Sequence, residues 1–231
     1  MAAAGMSAGQ ILQLLRSVRR KDFWDRPRGM ALARWIASGF KGREGLVEGR
    51  AFEQALEELL PVKRFEDCPK GCVVVGLDIA GCRRVVFTSG PIARAVRASG
   101  AVPVMMRAVW EPGRVVVDGG VVDKAPVKAA CEMLGARSVV VHLLHSSSLE
   151  QSPAGQLRRV GAPLLFQRRA VDAARMVGYR EQLQWARERG VEVVELSPRG
   201  LERVGPWRME RGPKAFEQAR AFALRELKAL L

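Results

Sequence analysis

The stretch Arg114–Pro126 constrains the fold more than any other, because it joins an apolar strand to a sharp acidic turn. Val115–Val117 form a continuous apolar run that is typical of the end of a buried strand. Asp118 follows at once, and Gly119 and Gly120 let the backbone turn where a side chain would clash. The pattern is compatible with a simple capped turn and with a carboxylate that faces a pocket.

Helix and strand patterns alternate along the rest of the chain. An apolar stripe at helical spacing begins just after Ser7 and predicts a first helix there. The further elements that we predict are helix Arg50–Leu60, strand Cys72–Ala80, its hairpin partner Val85–Phe87, helix Ile92–Ala98, helix Val127–Leu134, strand Ser138–Leu144, helix Arg168–Arg189, strand Val191–Leu196 and helix Phe216–Leu230, with short helices and loops over Lys21–Gly49 and a polar loop over Ser146–Gly155. This alternation favours an α/β fold with a partly parallel sheet, and with no clear linker we expect one domain over residues 1–231.

The chain has 231 residues and a formal net charge of +14. Such a surface favours phosphates, in nucleic acid or in anionic lipid head groups, although a solvated arginine-rich surface has the same composition. No helix-turn-helix, RNP-like or zinc motif supports a nucleic-acid binder, so we expect no nucleic-acid partner. No apolar run is long enough for a membrane span, and Met1–Ala4 has no signal-peptide features. We therefore expect a cytoplasmic or peripheral membrane protein.

The four cysteines do not form a metal-binding pattern. Cys68, Cys72 and Cys82 are close in sequence, but no histidine lies near them and no second cysteine pair completes a zinc set. Free thiols in a reducing compartment are the better interpretation. We therefore expect no bound metal and no cofactor.

The segment Gly5-Met6-Ser7-Ala8-Gly9 matches the G-x-S-x-G pattern of a nucleophile elbow. In that motif the serine lies on a strained strand-to-helix turn, and the helix N-terminus points N–H groups at the developing oxyanion. A serine nucleophile needs a base. The order Ser7, Asp118, His145 would fit a hydrolase triad, with His142 as the only other histidine. Alternatively, Asp118 acts directly as the base in a two-residue catalytic dyad.

Three motifs, in this order, resemble the successive signatures of bacterial-type patatin-like phospholipases. The first is Gly5–Gly9, the second is the small-residue stretch Arg94–Pro103, and the third is the Asp-Gly-Gly block within Val117–Pro126. The hairpin Val74–Phe87 is similar to the paired strands that precede the small-residue helix in that family. The resemblance runs over nearly the whole chain.

The resemblance implies a three-layer α/β/α domain with a central mixed, largely parallel sheet. It also implies a hydrolase that cleaves lipid carboxylic esters, of the phospholipase or lysophospholipase type, at a membrane surface. Ser7 would be the nucleophile of a Ser–Asp dyad, Asp118 its base, and the backbone N–H of Ala8 an oxyanion donor. The motif glycines would be Gly5, Gly9, Gly119 and Gly120. Neither histidine matches a catalytic position of the family.

The chain departs from the family pattern ahead of the serine motif. Members normally begin with a strand, a glycine-rich oxyanion loop and a helix, whereas six residues precede Ser7 here. We therefore expect either a domain that is truncated at its N-terminus relative to the family or a start codon that is assigned too late. Losing one oxyanion donor typically lowers kcat by about 10²–10³-fold. The alternative hypothesis is thus a catalytically impaired patatin-like fold or a binding remnant.

Overall fold

The computed structural model describes residues 1–19, 24–25, 33, 37–39, 45–144, 162–202, 204 and 209–230. Its helices and strands, in chain order, are α1 (Ala8–Ser17), β1 (Gly45–Val47), α2 (Arg50–Leu59), β2 (Val74–Asp78), β3 (Arg83–Phe87), α3 (Ile92–Ser99), β4 (Val104–Met106), β5 (Val109–Glu111), β6 (Arg114–Asp118), α4 (Val127–Leu134), β7 (Ser138–His142), α5 (Ala162–Arg187), β8 (Glu192–Leu196) and α6 (Gly212–Leu230). The chain contacts group into two compact units, Met1–Val122 and Asp123–Leu231.

The first unit contains a four-stranded antiparallel sheet with the strand order β3-β2-β6-β5. Strands β2 and β3 form the predicted hairpin, with Val75 opposite Val86. Strand β2 also pairs with β6, which places Asp118 opposite Gly76. A separate two-stranded sheet pairs β1 with β4 in parallel. Asp118 therefore lies where an interior strand of the larger sheet ends.

Helix α3 packs against this sheet through small side chains. Ala93, Ala95 and Ala98 are all buried. Ala98 belongs to a core cluster that includes Val116 of β6, whereas Ala93 and Ala95 share another cluster with Leu56 of α2. Because alanine projects little beyond the backbone, the helix can approach the strands and α2 closely. This packing explains why the stretch that resembles the family's small-residue helix is rich in alanine.

The second unit is built on a parallel pair of strands, β7 and β8. Helix α5 contributes Tyr179, Leu183 and Ala186 to the core of this unit, where they cluster with Val141 and Leu143 at the end of β7. Two strands bury too little apolar surface by themselves. The long helix therefore supplies much of the core of this unit.

The predicted α/β class is confirmed. Each predicted helix and strand outside Lys21–Gly49 is present, and α5 begins six residues before the predicted Arg168, at Ala162. Pro163 does not oppose that earlier start, because the first helical turn tolerates proline. The strands β1, β4 and β5 were not predicted, because segments of three residues give no readable period. Most of Lys21–Gly49 and all of Ser146–Gly155 lie outside the described residues.

The described strands pair in both directions, as a mixed arrangement requires. The pairs β1–β4 and β7–β8 are parallel, whereas every pair in the four-stranded sheet is antiparallel. Short turns, such as the Pro112-Gly113 link between β5 and β6, can join only antiparallel neighbours. Two of the five strand pairs in the described residues are parallel, fewer than the largely parallel sheet that we expected. The single domain over residues 1–231 stays a prediction.

Candidate active site

Asp118 is the last residue of β6, and its own side chain shapes the turn that follows. One carboxylate oxygen, Oδ1, accepts a hydrogen bond of 2.8 Å from the N–H of Gly120. The Asp118 N–H donates to the carbonyl oxygen of Ala101 at 3.0 Å. The residue is half-buried, and a 3₁₀ turn runs from Gly119 to Val121. The carboxylate is thus fixed at a strand end while part of it remains accessible.

Gly119 is required by a close approach between two backbones. A Cβ atom at this position would lie 1.9 Å from the carbonyl oxygen of Val75 and 2.5 Å from its carbon. These atoms belong to strand β2, so no side-chain rotation relieves the contact. The glycine after Asp118 is therefore a condition for β6 to turn beside β2, and the sequence pattern identified it correctly.

Ser7 is the N-cap of helix α1 and takes part in a capping box. Its Oγ accepts a hydrogen bond of 3.3 Å from the N–H of Gln10, and its own N–H donates to Gln10 Oε1 at 2.8 Å. The residue is exposed. Such a reciprocal pair satisfies two backbone donors at the start of a helix. The helix predicted directly after Ser7 is therefore present, and the serine hydroxyl already helps to begin it.

The backbone around Ser7 differs from the strained elbow that the motif predicts. Ser7 has φ −69° and ψ 159°, an ordinary extended conformation. The segment before it forms turns instead of a strand, because the N–H groups of Ala4 and Gly5 donate to the carbonyls of Met1 and Ala2. Gly5 takes the left-handed conformation instead, with φ 95°. The expectation of a strained serine was wrong for this conformation.

The two residues of the serine motif that follow Ser7 have open surroundings. Gly9 lies in the first turn of α1, and a Cβ atom there would meet only Ser7 Oγ, at 4.0 Å. The glycine leaves space beside the hydroxyl. Ala8 is the first residue of α1, so its N–H is among the amides that have no acceptor within the helix. This amide is available to a bound oxygen next to Ser7, as an oxyanion donor must be.

Ser7 and Asp118 lie in the same unit but keep separate hydrogen-bond partners. No hydrogen bond joins the two side chains in the described part of the chain. The segment before Ser7 contacts Lys70, whose N–H donates to the Ala3 carbonyl oxygen at 3.4 Å. Gly76, opposite Asp118, lies six residues beyond Lys70, which an extended chain spans in at most about 20 Å. The segment before Ser7 thus contacts the chain shortly before β2, Asp118 pairs within β2, and the dyad hydrogen bond is not formed in this conformation.

Two of the thiols offer little as alternative nucleophiles. Burial, followed by the neighbouring Cys68, raises the pKa of the Cys72 thiol, and burial also raises the pKa of Cys131. Since the thiolate is the nucleophilic form, such cysteines react poorly. His142 is exposed at the end of β7, and His145 lies outside the described residues.

All four cysteines are free in the structure. The described residues contain no group of three acidic, histidine or cysteine side chains arranged to hold a metal ion. Among the described helices, we find none that combines the length and the apolar character needed to cross a bilayer.

Sequence reasoning placed Asp78 in the hairpin but did not predict that it is a buried carboxylate close to the site. Asp78, at the end of β2, is completely inaccessible. It accepts hydrogen bonds from the N–H groups of Ala80 at 3.2 Å and Val115 at 3.1 Å, and it pairs with Arg83 at 3.2 Å. Burial opposes its ionisation, but the N–H groups of Val115 and Gly81, together with Arg83, lower its pKa below the ordinary value. Asp78 thereby ties β2, β3 and β6 together.

Comparison of the sequence with models of protein families identifies the family of this chain. The family model described as Patatin-like phospholipase matches residues 1–131, more than half of the chain. The chain belongs to the patatin-like phospholipase family. The matched range contains Ser7, Asp118 and the four motif glycines, and the resemblance that the sequence indicated is confirmed over residues 1–131, not over nearly the whole chain. An α/β/α architecture is the fold of this family, which agrees with the α/β class of the structure.

Curated relatives give a more distant comparison. The chain is 28% identical over 114 residues to an uncharacterized NTE family protein of Mycobacterium bovis and to uncharacterized NTE family proteins from two strains of Mycobacterium tuberculosis. Each match covers 49% of this chain and 30% of the relative. The match thus spans under a third of the length of these relatives.

Proposed function

We propose that this patatin-like chain is a serine acyl hydrolase that cleaves carboxylic esters of lipids, of the phospholipase or lysophospholipase type. The observation that carries the proposal is the family match over residues 1–131, which includes both the serine motif and the Asp-Gly-Gly motif. Ser7 is the proposed nucleophile, and Asp118 is its proposed base.

The proposed reaction begins with transfer of the Ser7 hydroxyl proton to Asp118. Oγ attacks the ester carbonyl carbon and forms a tetrahedral intermediate, whose oxyanion accepts a hydrogen bond from the N–H of Ala8. The alcohol leaves with the proton held by Asp118, and an acyl-enzyme remains. Water, deprotonated by the same carboxylate, then releases the fatty acid and restores the serine.

Two features of the site support these roles. Oδ1 of Asp118 accepts the hydrogen bond from the Gly120 N–H. We therefore assign the other carboxylate oxygen as the acceptor of the Ser7 hydroxyl proton. Ser7 is exposed at a helix N-terminus, where the helix dipole and the free N–H groups stabilise a developing negative charge. The reaction also requires Asp118 to come within about 2.6–3.2 Å of Ser7 Oγ, or to reach it through one water molecule.

The test uses purified chain and a short-chain nitrophenyl ester. Ser7→Ala should abolish turnover, but it also removes the helix cap. Ser7→Asp is the matched variant, because aspartate caps helices as well as serine does and lacks the hydroxyl that forms the serine ester. Asp118→Asn keeps an oxygen for the Gly120 N–H and should lower kcat by about 10²–10⁴-fold. Turnover that survives in Ser7→Asp would exclude Ser7 as the nucleophile.

The alternative function, a catalytically impaired patatin-like fold that binds without hydrolysis, is favoured by one observation. Ser7 Oγ is engaged in the capping box, and its backbone is relaxed. In that case wild type, Ser7→Asp and Asp118→Asn should all show the same background turnover. A lipid ester added at saturating concentration would still raise the melting temperature, because a ligand that binds the native state stabilises it.

A lipid ester substrate places the proposed reaction at a membrane surface. The net charge of +14 favours surfaces that carry anionic lipid. We therefore propose peripheral attachment of a chain that is otherwise dissolved in the cytoplasm. Flotation of the purified protein with vesicles of mixed phosphatidylglycerol and phosphatidylcholine, at low and high salt, measures this attachment.

A further inference from the structure

A small cavity in the second unit lies beyond the carboxyl end of β8. It has a volume of about 250 Å³ and is lined by the turn that follows β8 and by residues of helix α6. Strand β8 is parallel to β7, and α/β proteins commonly bind ligands beyond the carboxyl ends of parallel strands. The cavity is outside residues 1–131, so the family match assigns it no role.

The charged residues that line the cavity are both arginines. Among the described residues, the lining includes Arg199 from the turn and Arg225 from α6, and it includes no acidic residue. Arg225 lies 3.5 Å from the carboxylate of Glu226, but the two side chains are 72% and 45% exposed. An ion pair that exposed contributes little. The lining therefore presents two accessible guanidinium groups.

The acidic residues close in sequence to the lining have cations of their own. Glu202, which follows the turn, pairs with Arg211 at 2.8 Å and with Lys214 at 2.9 Å. Glu217 of α6 pairs with Arg220 at 3.8 Å. Each of these carboxylates thus has at least one cationic partner that does not line the cavity.

Two further lining residues orient donors at the cavity. Gln218 Oε1 accepts a hydrogen bond of 2.7 Å from the N–H of Glu202, which assigns the oxygen and the nitrogen of this amide. The Nε2 group of Gln218 is therefore left to donate to another acceptor. The guanidinium carbon of Arg225 lies 5.5 Å from the centre of the Phe222 ring, within the range of a cation–π contact. The lining thus combines guanidinium and amide donors.

We propose that this cavity binds a phosphate group, either of inorganic phosphate or of an anionic lipid head group. The planar guanidinium of arginine matches the oxygens of a phosphate in a bidentate way, and hydrogen bonds between such charged partners are strong. The volume is below the range that is typical of drug-sized ligands, so the cavity suits a single phosphate group. The proposed binding is independent of the Ser–Asp chemistry.

The first test is isothermal titration calorimetry of the full chain with inorganic phosphate, at an ionic strength held constant with chloride. Arg199→Ala and Arg225→Ala should each weaken binding about tenfold or more. Gln218→Glu keeps an oxygen for the Glu202 N–H but brings a negative charge into the cavity, and it should abolish binding. If Arg225→Ala does not fold, Arg225→Lys keeps the charge without the planar fork and should also weaken binding.

A second assay distinguishes the two sources of phosphate. The same variants are sedimented with vesicles of phosphatidylcholine, or of phosphatidylcholine with phosphatidylglycerol. Losses in the variants only with the anionic vesicles, and no heat with inorganic phosphate, would assign the cavity to a lipid head group. Losses only in the calorimetry would assign it to free phosphate. Neither assay requires turnover, so failure of the proposed hydrolysis leaves both results intact.

Arg220→Ala is the matched control. Arg220 is on the same helix, its side chain is 58% exposed, and it does not line the cavity. The control should bind like wild type in both assays, and circular dichroism should show every variant folded. If Arg220→Ala loses as much affinity as Arg225→Ala, binding reflects the overall charge and the proposal is overturned. Unchanged binding of Arg199→Ala and Arg225→Ala in both assays would overturn it as well.

Discussion

Replacing Gly119 with alanine tests the contact that fixes the Asp-Gly-Gly turn. The new Cβ atom would lie 1.9 Å from the Val75 carbonyl oxygen, whereas ordinary contact begins at 3.4 Å, so the two backbones must separate by about 1.5 Å. That movement falls on the β2–β6 ladder, which pairs three residues, among them Gly76 with Asp118. Overpacking typically destabilises by about 1–3 kcal/mol. With backbone atoms on both sides, we expect about 3 kcal/mol or more.

Urea unfolding followed by circular dichroism measures this effect, with Gly9→Ala as the control. A Cβ atom at Gly9 meets only Ser7 Oγ, at 4.0 Å, and alanine favours a helix over glycine by up to about 1 kcal/mol. Stability of the control should therefore be unchanged or higher. If Gly119→Ala unfolds within about 0.5 kcal/mol of wild type, β2 does not lie against Gly119, and the reasoning that anchors Asp118 beside β2 fails.

Three further predictions concern the pH dependence of stability and the cap of α1. Because the pKa of Asp78 is lowered from 3.8, its stabilising effect is present above about pH 4 and lost in more acid solution; the melting temperatures of wild type and Asp78→Asn should converge there. Burial, then the hydrogen bond to Glu195, raises the pKa of the sole tyrosine, Tyr179. Near-ultraviolet absorbance at about pH 11 should therefore show tyrosinate only after unfolding, and stability should fall above about pH 10. Ser7→Ala should lower stability by about 0.5–2 kcal/mol, whereas Ser7→Asp should not.

The parts of the fold that the sequence predicted are those with local causes. Helix α2 ends at Leu59, just before Pro61, and helix α4 ends where Gly135 adopts φ 65°. Proline cannot continue a helix, and glycine enters the left-handed region without steric strain. The β2–β3 hairpin likewise depends on two apolar runs and a short turn between them. Each signal lies within a few residues of the structure that it determines.

The parts that were missed depend on partners distant in the chain. Strands β1 and β4 consist of three residues each and pair across almost sixty positions, with Gly45 opposite Val104. Val104 has φ 71°, a conformation that valine rarely adopts and that no propensity predicts. Similarly, nothing in the sequence near Asp78 shows that it accepts a hydrogen bond from Val115, 37 residues later. Tertiary pairing decides these features.

The candidate site likewise has features that were predicted from local sequence and features that were not. The strand end at Asp118 and the turn through Gly119 were predicted correctly because both are local features, whereas the catalytic role of Asp118 stays a prediction. The strained serine was not found, because the strain of an elbow comes from the surrounding fold and not from the motif. Gly5 takes the left-handed conformation, and Ser7 is left in a relaxed one. A G-x-S-x-G motif alone therefore predicts the helix start more securely than the geometry of the nucleophile.

The capping role of Ser7 does not exclude the proposed catalytic role. A hydroxyl has one donor hydrogen and two acceptor lone pairs, and the cap uses only an acceptor, at 3.3 Å from the Gln10 nitrogen. The hydrogen remains available for Asp118. Even if Oγ must leave the cap to reach the base, the loss is about 1 kcal/mol, or about fivefold in rate. Removing a positioned base costs about 10²–10⁴-fold. The ratio of kcat between wild type and Asp118→Asn therefore decides whether the two side chains work together, whatever the cap contributes.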